Sequence, residues 1–160
     1  MKVAIVMGSK SDLQTMQKAS AVLCEFGIQY EMHILSAHRT PQEAADFAQG
    51  AKERGFGAII AGAGLAAHLP GVLASWTELP VIGVPLSSQA LGGLDALYAI
   101  VQMPPGIPVA TVGIDNAKNA ALLAVQILAL SDPKLAERLA LFRSQQAETV
   151  LEHDRQLQDA

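Results

Sequence analysis

The feature that most constrains the fold is an alternation of short apolar runs with longer stretches in which apolar residues recur every three or four positions. The first run, residues 3–7, is continuously apolar and stops at Gly8, as expected of a strand that is buried on both faces. Residues 12–26 then have helical spacing, and Gly27 is predicted to end that helix. This order of elements is typical of parallel strands that are linked by helices.

The same alternation continues to the end of the chain and predicts five strand–helix units. Further strands are predicted at residues 30–35, 58–61, 81–84 and 109–112, and further helices from Thr40-Pro41 to Gly55 or Gly57, through Trp76, at 91–101, at 116–130 and from 132 to about 157. The predicted fold class is α/β: a three-layer αβα sandwich with a five-stranded parallel sheet, flavodoxin- or Rossmann-like, with an extra C-terminal helix. We expect residues 1–160 to form a single domain, with the helix at 132–158 packing on a neighbouring subunit.

Composition narrows the possible partners. Hydrophobic residues make up 51% of the 160 positions and charged residues 16%, which excludes a disordered chain and predicts a homo-oligomer that buries apolar surface between copies. The chain has no run of Lys or Arg, and its aromatic content is 4%, so a nucleic-acid partner is not expected. With a net charge of -4, an anionic substrate has to be held by a few placed groups.

The cysteine count and the lengths of the apolar runs bear on the cellular compartment. Cys24 is the single cysteine, which excludes an internal disulfide and a cysteine metal cluster, and its place in the first helix predicts a core position. No apolar stretch approaches the roughly 20 residues of a membrane span, and the N-terminal run is too short for a signal peptide. A cytoplasmic location without a membrane partner is therefore the expectation.

The carboxyl ends of parallel strands are where such sheets bind ligands. After the first strand, residues 8–12 supply two hydroxyls, from Ser9 and Ser11, directly before a helix N-terminus, where an anion is stabilised. An ordinary strand-to-helix turn with Asp12 as its N-cap explains the same residues equally well. The sequence leaves both interpretations open.

The loop after the second strand carries the sharper signal. Ser36, His38 and Arg39 are crowded within four residues. An arginine in a cleft suits bidentate phosphate binding, and a neighbouring histidine can move a proton near neutral pH. We favour this interpretation over a surface ion pair of Arg39 and a merely polar His38.

The loop after the third strand has a glycine pair. Residues 62–67 fit the dinucleotide pattern Gly-x-Gly-x-x-Ala only loosely, because they follow the third strand and no acidic residue ends the next one. The glycines more plausibly allow close approach of a flat ring, and His68 either faces the ligand or stabilises the turn. The remaining histidines, His33 and His153, are interpreted as structural or exposed.

Several chemistries have no motif in the sequence. There is no Gly-x-x-x-x-Gly-Lys-Ser/Thr loop, no Gly-x-Ser-x-Gly elbow and no His-Glu-x-x-His pair. The histidine-bearing edge also lacks carboxylates that could complete a metal site, so no metal is predicted.

Taken together, five segments resemble the class I N5-carboxyaminoimidazole ribonucleotide mutases, the PurE family. The segments are residues 8–12, 36–41, 61–64, 66–71 and 101–106, in that order, and residues 116–124 also fit. The resemblance spans roughly residues 3–130, and its specificity comes from the combination and not from any single motif.

This resemblance implies an enzyme of de novo purine (IMP) biosynthesis, with a three-layer α/β fold and usually an octameric assembly in which the active sites lie between subunits. The implied reaction moves a carboxylate from the exocyclic nitrogen of an aminoimidazole ribonucleotide to ring carbon C4. It needs no metal, organic cofactor or ATP. Functional coupling to the carboxyaminoimidazole ribonucleotide synthetase, which makes the substrate, is also implied as possible.

Carried over motif by motif, the resemblance assigns one end of the site to the ribose phosphate. Ser9, Ser36 and Arg39 would hold the 5′-phosphate. Asp12 would accept hydrogen bonds from the ribose hydroxyls, with Ser11 in support.

The other end of the site is assigned to the reaction. His38 would be the acid and base that handles the protons. The residues that would border the heterocycle and the carboxylate are Gly62, Ala63, Gly64, His68 and Leu69. The loop at residues 103–106 would close over a site, either its own or a neighbour's.

One position departs from the family. Leu65 stands where the family usually has a second consecutive glycine, and a glycine there would allow positive φ and close ligand approach. Two other functions stay in view: a carboxylase that uses free CO2 on the unmodified aminoimidazole ribonucleotide, and a non-catalytic module that binds a nucleotide or a phosphosugar.

Overall fold

The computed structural model describes residues 1–158 and has five strands. They are β1 (Lys2–Met7), β2 (Tyr30–Ile34), β3 (Phe56–Gly64), β4 (Val81–Leu86) and β5 (Ala110–Thr111). The α-helices are α1 (Leu13–Glu25), α2 (Pro41–Gly50), α3 (Leu69–Ser75), α4 (Leu94–Val101), α5 (Ala117–Ala129) and α6 (Pro133–Gln158), and a short 3-10 turn, Lys10–Asp12, precedes α1.

The five strands form one parallel sheet in the order β2-β1-β3-β4-β5. This is the flavodoxin-like order of doubly wound sheets, and the predicted fold class is confirmed. The chain leaves β1 toward β2 on one side and returns to β3 on the other. The crevice above the carboxyl ends of β1 and β3 is therefore the expected ligand site.

Successive residues of β1 serve opposite faces of the sheet. Val3 and Ile5 pack in a core with α1 and α5, whereas Ala4 and Val6 pack in a second core with α2 and α3. All four side chains are fully buried, and burial of one such aliphatic side chain contributes about 1.5–3 kcal/mol. The continuous apolar run that the sequence shows is the direct consequence of these two cores.

The third strand is longer than predicted. We expected residues 58–61 to be followed by a glycine turn, but β3 continues to Gly64 because Gly62 and Gly64 pair with Val84 and Leu86 of β4. Gly62 also leaves room for Met16, since a Cβ at this position would collide with the Met16 sulfur. The fourth strand likewise extends beyond its prediction, to Leu86.

Two helix boundaries also differ from the predictions. The second helix ends at Gly50 and not at Gly55 or Gly57, because residues 51–55 form turns in which Gly55 has φ 83°. The fourth helix starts at Leu94 instead of residue 91, after Gly93 with φ 93°. Gly55 lies beyond the C-terminal end of α2, where glycines with positive φ are common, and Gly93 is the N-cap residue of α4.

Cys24 does not lie in the core, contrary to the prediction. Its side chain is exposed, and its thiol lies 3.8 Å from the Tyr30 hydroxyl oxygen. The inward face of α1 is formed by Met16, Ala19 and Leu23, and the residue after Leu23 is rotated by about 100° from that face.

The C-terminal helix divides into two parts. Leu135, Leu139 and Phe142 pack on the chain's own core, and Phe142 meets Phe26 edge-on with ring centroids 5.4 Å apart. Residues 143–158 are exposed along their whole length. Packing of α6 on a neighbouring subunit stays a prediction. Among residues 1–158, no helix is both long enough and apolar enough to cross a membrane.

Candidate active site

A cleft of about 530 Å³ opens at the carboxyl edge of the sheet. The loops after β1, β2, β3 and β4 line it, as the doubly wound topology requires. Every residue predicted for the site lines this cleft except Gly62, which is buried beside Met16 within β3. The structure therefore brings together in space the residues that the sequence placed after three separate strands.

The loop after β1 is organised by its own hydroxyls. Ser9 Oγ accepts from the backbone N–H of Ser11 at 3.3 Å, and the Ser11 hydroxyl lies 3.0 Å from Ser9 Oγ and 3.1 Å from Asp12 Oδ1. Asp12 stands before α1 but makes no side-chain capping hydrogen bond. Its carboxylate borders the cleft instead.

The loop after β2 is closed by Thr40. The Thr40 hydroxyl accepts from the backbone N–H of Ser36 at 2.8 Å, and the Thr40 N–H donates to the Ser36 carbonyl at 2.9 Å. Thr40 occupies the N-cap position of α2, as predicted, but its hydroxyl is used in this loop and not on the helix. The loop is thereby fixed at the residues that carry the histidine and the arginine.

Arg39 joins the first two loops. Its Nη2 donates to the carbonyl oxygen of Gly8 at 2.8 Å, and its Nε lies 3.4 Å from the hydroxyl oxygen of Ser36. A guanidinium has five N–H donors, so others stay free for a ligand. None of the ion pairs within residues 1–158 involves Arg39, so its positive charge is not neutralised by a neighbouring carboxylate.

Two histidines meet in the cleft. His38 Nε2 lies 2.8 Å from His68 Nδ1, and the ring planes are almost perpendicular at 86°. One nitrogen of this pair must donate and the other must accept. His68 thus lies beside His38 and lines the cleft, and its contact with a ligand stays a prediction.

The loop after β3 contains a strained residue. Leu65 has φ 54°, and 58% of its side chain is exposed. The left-handed region is costly for residues with a Cβ, which explains why a glycine suits this position. Gly64 serves a different need, since a Cβ there would lie 3.3 Å from the Leu86 carbonyl oxygen.

The end of β4 also lines the cleft, and its residues were not among those predicted. Ser87 and Ser88 border the cleft, and the N–H of Ser87 donates to Asp115 Oδ1 at 2.9 Å. The Ser88 hydroxyl and Asp95 Oδ1 are buried without a hydrogen-bond partner within residues 1–158. Ser87 and Ser88 directly follow β4 at the same edge of the sheet, and this position was the signal that could have identified them.

One predicted feature, the closing loop, lies outside the cleft. The loop at residues 103–106 does not line the cleft; Met103 packs near Gly71 of α3, so closure over a neighbour's site stays a prediction. Within residues 1–158, no three His, Cys, Asp or Glu side chains approach closely enough to hold a metal ion.

Comparisons with known proteins agree with this geometry. The family model described as AIR carboxylase matches residues 2–149. A protein of Pyrococcus abyssi named N5-carboxyaminoimidazole ribonucleotide mutase is 61% identical over 89% of this chain and 82% of its own length. A protein of the same name from Pyrococcus horikoshii is 57% identical over 98% of this chain and 89% of its own length.

A solved structure shows the same architecture. The crystal structure of Treponema denticola PurE superposes with a TM-score of 0.87 at 32% identity and covers 97% of both chains. The family model spans nearly all of the sheet and the four loops that form the cleft. By sequence over almost its full length and by fold, the chain belongs to the AIR carboxylase family.

Proposed function

We propose that the chain is an N5-carboxyaminoimidazole ribonucleotide mutase, which forms 4-carboxy-5-aminoimidazole ribonucleotide in purine biosynthesis. The names of its relatives support the mutase activity. The observation that carries the assignment is the juxtaposition of the His38–His68 pair with the unpaired Arg39 in one cleft. A substrate that contains both a phosphate and a protonatable nitrogen uses both features.

The phosphate end of the substrate lies over β1 and β2 in this proposal. Arg39 is held by the Gly8 carbonyl and approaches Ser36, so its remaining donors are oriented before the ligand arrives. Arg–phosphate hydrogen bonds are charge-assisted and often bidentate. The Ser9 and Ser36 hydroxyls add neutral donors, and Asp12 accepts from the ribose hydroxyls.

The reaction end uses His38 as both acid and base. His38 donates a proton to the carbamate nitrogen, the carbon–nitrogen bond breaks, and CO2 and the aminoimidazole are formed. Ring carbon C4 then attacks CO2, and the proton on C4 passes to His38. The proton count of the enzyme is unchanged after one turnover, so a single side chain can serve as acid and then as base.

His68 supports this role of His38. When His38 carries the proton, His68 Nδ1 can accept a hydrogen bond from His38 Nε2 across the 2.8 Å contact. The contact orients the His38 ring. Gly64 and Leu69 also line the cleft, and in this proposal they border the carboxylate that is transferred.

Assembly and context complete the proposal. The chain is expected to act as a homo-octamer with active sites between subunits, in the cytoplasm, downstream of the synthetase that makes the carbamate. The exposed residues 143–158 of α6 and the exposed Leu94, Tyr98 and Val101 of α4 supply apolar and polar surface for such contacts.

The description of the family as a carboxylase keeps a second substrate in view, the unmodified aminoimidazole ribonucleotide with free CO2. Purified protein should be assayed with each substrate separately, with formation of the C4-carboxylated product as the readout. If the chain is a mutase, it should turn over the carbamate substrate without added bicarbonate. Turnover that appears only with free CO2 would reject it in favour of the carboxylase, and ligand binding without turnover would indicate a binding module.

A further inference from the structure

The turn between β5 and α5 contains the second strained residue of the described chain that is not a glycine. Asp115 has φ 56°, in the left-handed region. Aspartate tolerates this region better than most residues with a Cβ, but the conformation still persists only where its surroundings hold it. The contacts of Asp115 show what it holds.

Asp115 fixes the chain where it leaves β4. Its backbone N–H donates to the Pro85 carbonyl at 2.8 Å, and its Oδ1 accepts from the Ser87 N–H at 2.9 Å. The two bonds lie on either side of Leu86, the last residue of β4. The left-handed conformation of Asp115 allows the backbone and the side chain to bind the same short segment.

Gly93 confines the same segment from a second side. Gly93 has φ 93°, and a Cβ there would lie 3.1 Å from the Ser87 Cα and 2.8 Å from Cγ2 of Ile114. The backbone of Ser87 is therefore packed between Gly93 and the turn that contains Asp115. Such double support is typical of a position that must be preorganised.

The side chain that this support presents is exposed in the cleft. Ser87 lines the cleft, and its hydroxyl bonds to no other residue within 1–158. In the strand order, β4 lies two positions from β1 and three from β2, and two positions correspond to about 10 Å at the usual spacing of strands. Ser87 therefore follows a strand on the opposite side of the cleft from the strands that precede Ser9 and Arg39.

We propose that the Ser87 hydroxyl binds the carboxylated imidazole end of the substrate and that Asp115 is the positioning residue that holds Ser87. The assignment rests on the proposed function, because only a substrate with a phosphate at one end and a carboxylate at the other contacts both sides of the cleft. A hydroxyl donor suits a carboxylate without adding charge beside the His38–His68 pair.

Two ligands and four variants test this assignment by calorimetry. The ligands are 4-carboxy-5-aminoimidazole ribonucleotide, which occupies the whole cleft, and ribose 5-phosphate, which occupies only the phosphate end. Ser87→Ala should lower the affinity for the carboxylated nucleotide about 10-fold and leave the affinity for ribose 5-phosphate unchanged. Ser75→Ala is the control. The Ser75 hydroxyl lies at the end of α3 and donates to the Val72 carbonyl, so its removal should change the affinity for neither ligand.

The Asp115 variants separate positioning from simple stability. A glycine at position 115 adopts the left-handed backbone easily but provides no acceptor for the Ser87 N–H. Asp115→Gly should therefore lower the affinity for the carboxylated nucleotide about as much as Ser87→Ala does, with little change in Tm. Asp115→Asn keeps an acceptor oxygen and tolerates the left-handed backbone, so its affinity for the carboxylated nucleotide should stay within about 3-fold of that of wild type.

Each contrary outcome has a distinct meaning. Unchanged nucleotide binding in Ser87→Ala overturns the contact, and equal affinities of Asp115→Gly and Asp115→Asn overturn the positioning role. An equal loss of ribose 5-phosphate binding in Ser87→Ala places the hydroxyl at the phosphate end and also overturns the assignment. If the wild-type protein does not bind the carboxylated nucleotide, the proposed function itself fails first.

Discussion

The two edges of the sheet use their charged residues in opposite ways. At the amino edge, Glu31 accepts from Lys2, Arg54 and His33 and so pairs with three basic side chains at once. At the carboxyl edge, Arg39 has only a backbone carbonyl and a hydroxyl as neighbours, and His38 contacts another histidine.

This difference separates structural charges from functional ones. A charge that is neutralised within the fold contributes modestly to stability and has little left for a ligand. A cation that the fold orients but does not neutralise is prepared for an anion from outside. The comparison predicts that substitutions at the carboxyl edge change activity and affinity, whereas those at the amino edge change only stability.

The largest effect is expected at His38. His38→Asn should lower turnover at least about 100-fold, because an amide cannot exchange a proton near neutral pH, while product affinity stays within a few fold. Steady-state kinetics and calorimetry on the same preparation measure the two quantities. His153→Asn, on the exposed part of α6, is the matched control and should turn over like wild type.

A His38→Asn variant with normal turnover would remove His38 from the proton transfer. A variant that loses turnover and binding together would instead indicate that the imidazole is mainly a binding group.

The next effect compares two arginines, one at each edge. Arg39→Ala should weaken ribose 5-phosphate binding about 30-fold, as expected when charge-assisted hydrogen bonds to a phosphate are lost. Arg54→Ala should leave that affinity unchanged and lower Tm slightly, because Arg54 pairs with Glu31 at 2.8 Å and lies over the Phe47 and Phe56 rings. Equal losses of affinity would contradict the division between the edges.

The sequence predicted those parts of the molecule that depend on local pattern. The strands β1, β3 and β4 were located from their apolar runs, since strands buried on both faces are continuously apolar. The strand β2 is only partly buried and was located from a more mixed pattern. His38 and Arg39 were assigned to the cleft because the carboxyl ends of parallel strands meet at one edge. The paired glycines of β3 were misread as a turn, because only pairing with β4 extends that strand.

The parts that were missed depend on contacts between distant residues. His38 and His68 are 30 positions apart, and Ser87 and Asp115 are 28 apart. No periodicity or motif records such a contact, so the role of His68 stayed open and the support of Ser87 by Asp115 was not foreseen, although the position of Ser87 directly after a strand could have identified it. Cys24 was misplaced because a helical pattern locates the apolar face only to within about one residue.

A smaller effect tests the strain in the cleft. Leu65→Gly should raise the free energy of unfolding by about 0.5 kcal/mol, because relief of the left-handed conformation of Leu65 exceeds the entropy cost of a glycine. Ala66→Gly, at the exposed neighbouring position without positive φ, should destabilise instead. Urea denaturation of both variants gives the two signs, and destabilisation by Leu65→Gly would mean that the Leu65 side chain contributes more than the strain costs.

The smallest effect belongs to the amino edge and is a matter of pH. The hydrogen bond from Lys2 is the main cause that lowers the pKa of Glu31 below its ordinary value of 4.5, with further contributions from His33 and Arg54. A carboxyl whose pKa is lower in the folded than in the unfolded state stabilises the fold above the unfolded pKa, and this contribution is lost as the pH falls through the folded pKa. The Tm of wild type should therefore exceed that of Glu31→Gln by no more than about 2 °C near neutral pH, since exposed ion pairs contribute little. The difference should begin to shrink as the pH falls below 4.5 and should vanish once the pH is below the folded pKa of Glu31. Turnover should be equal in both proteins at neutral pH, because this carboxylate is satisfied within the fold.

A Tm difference that persists unchanged in acid would show that the charge of Glu31 is not what stabilises this edge of the sheet.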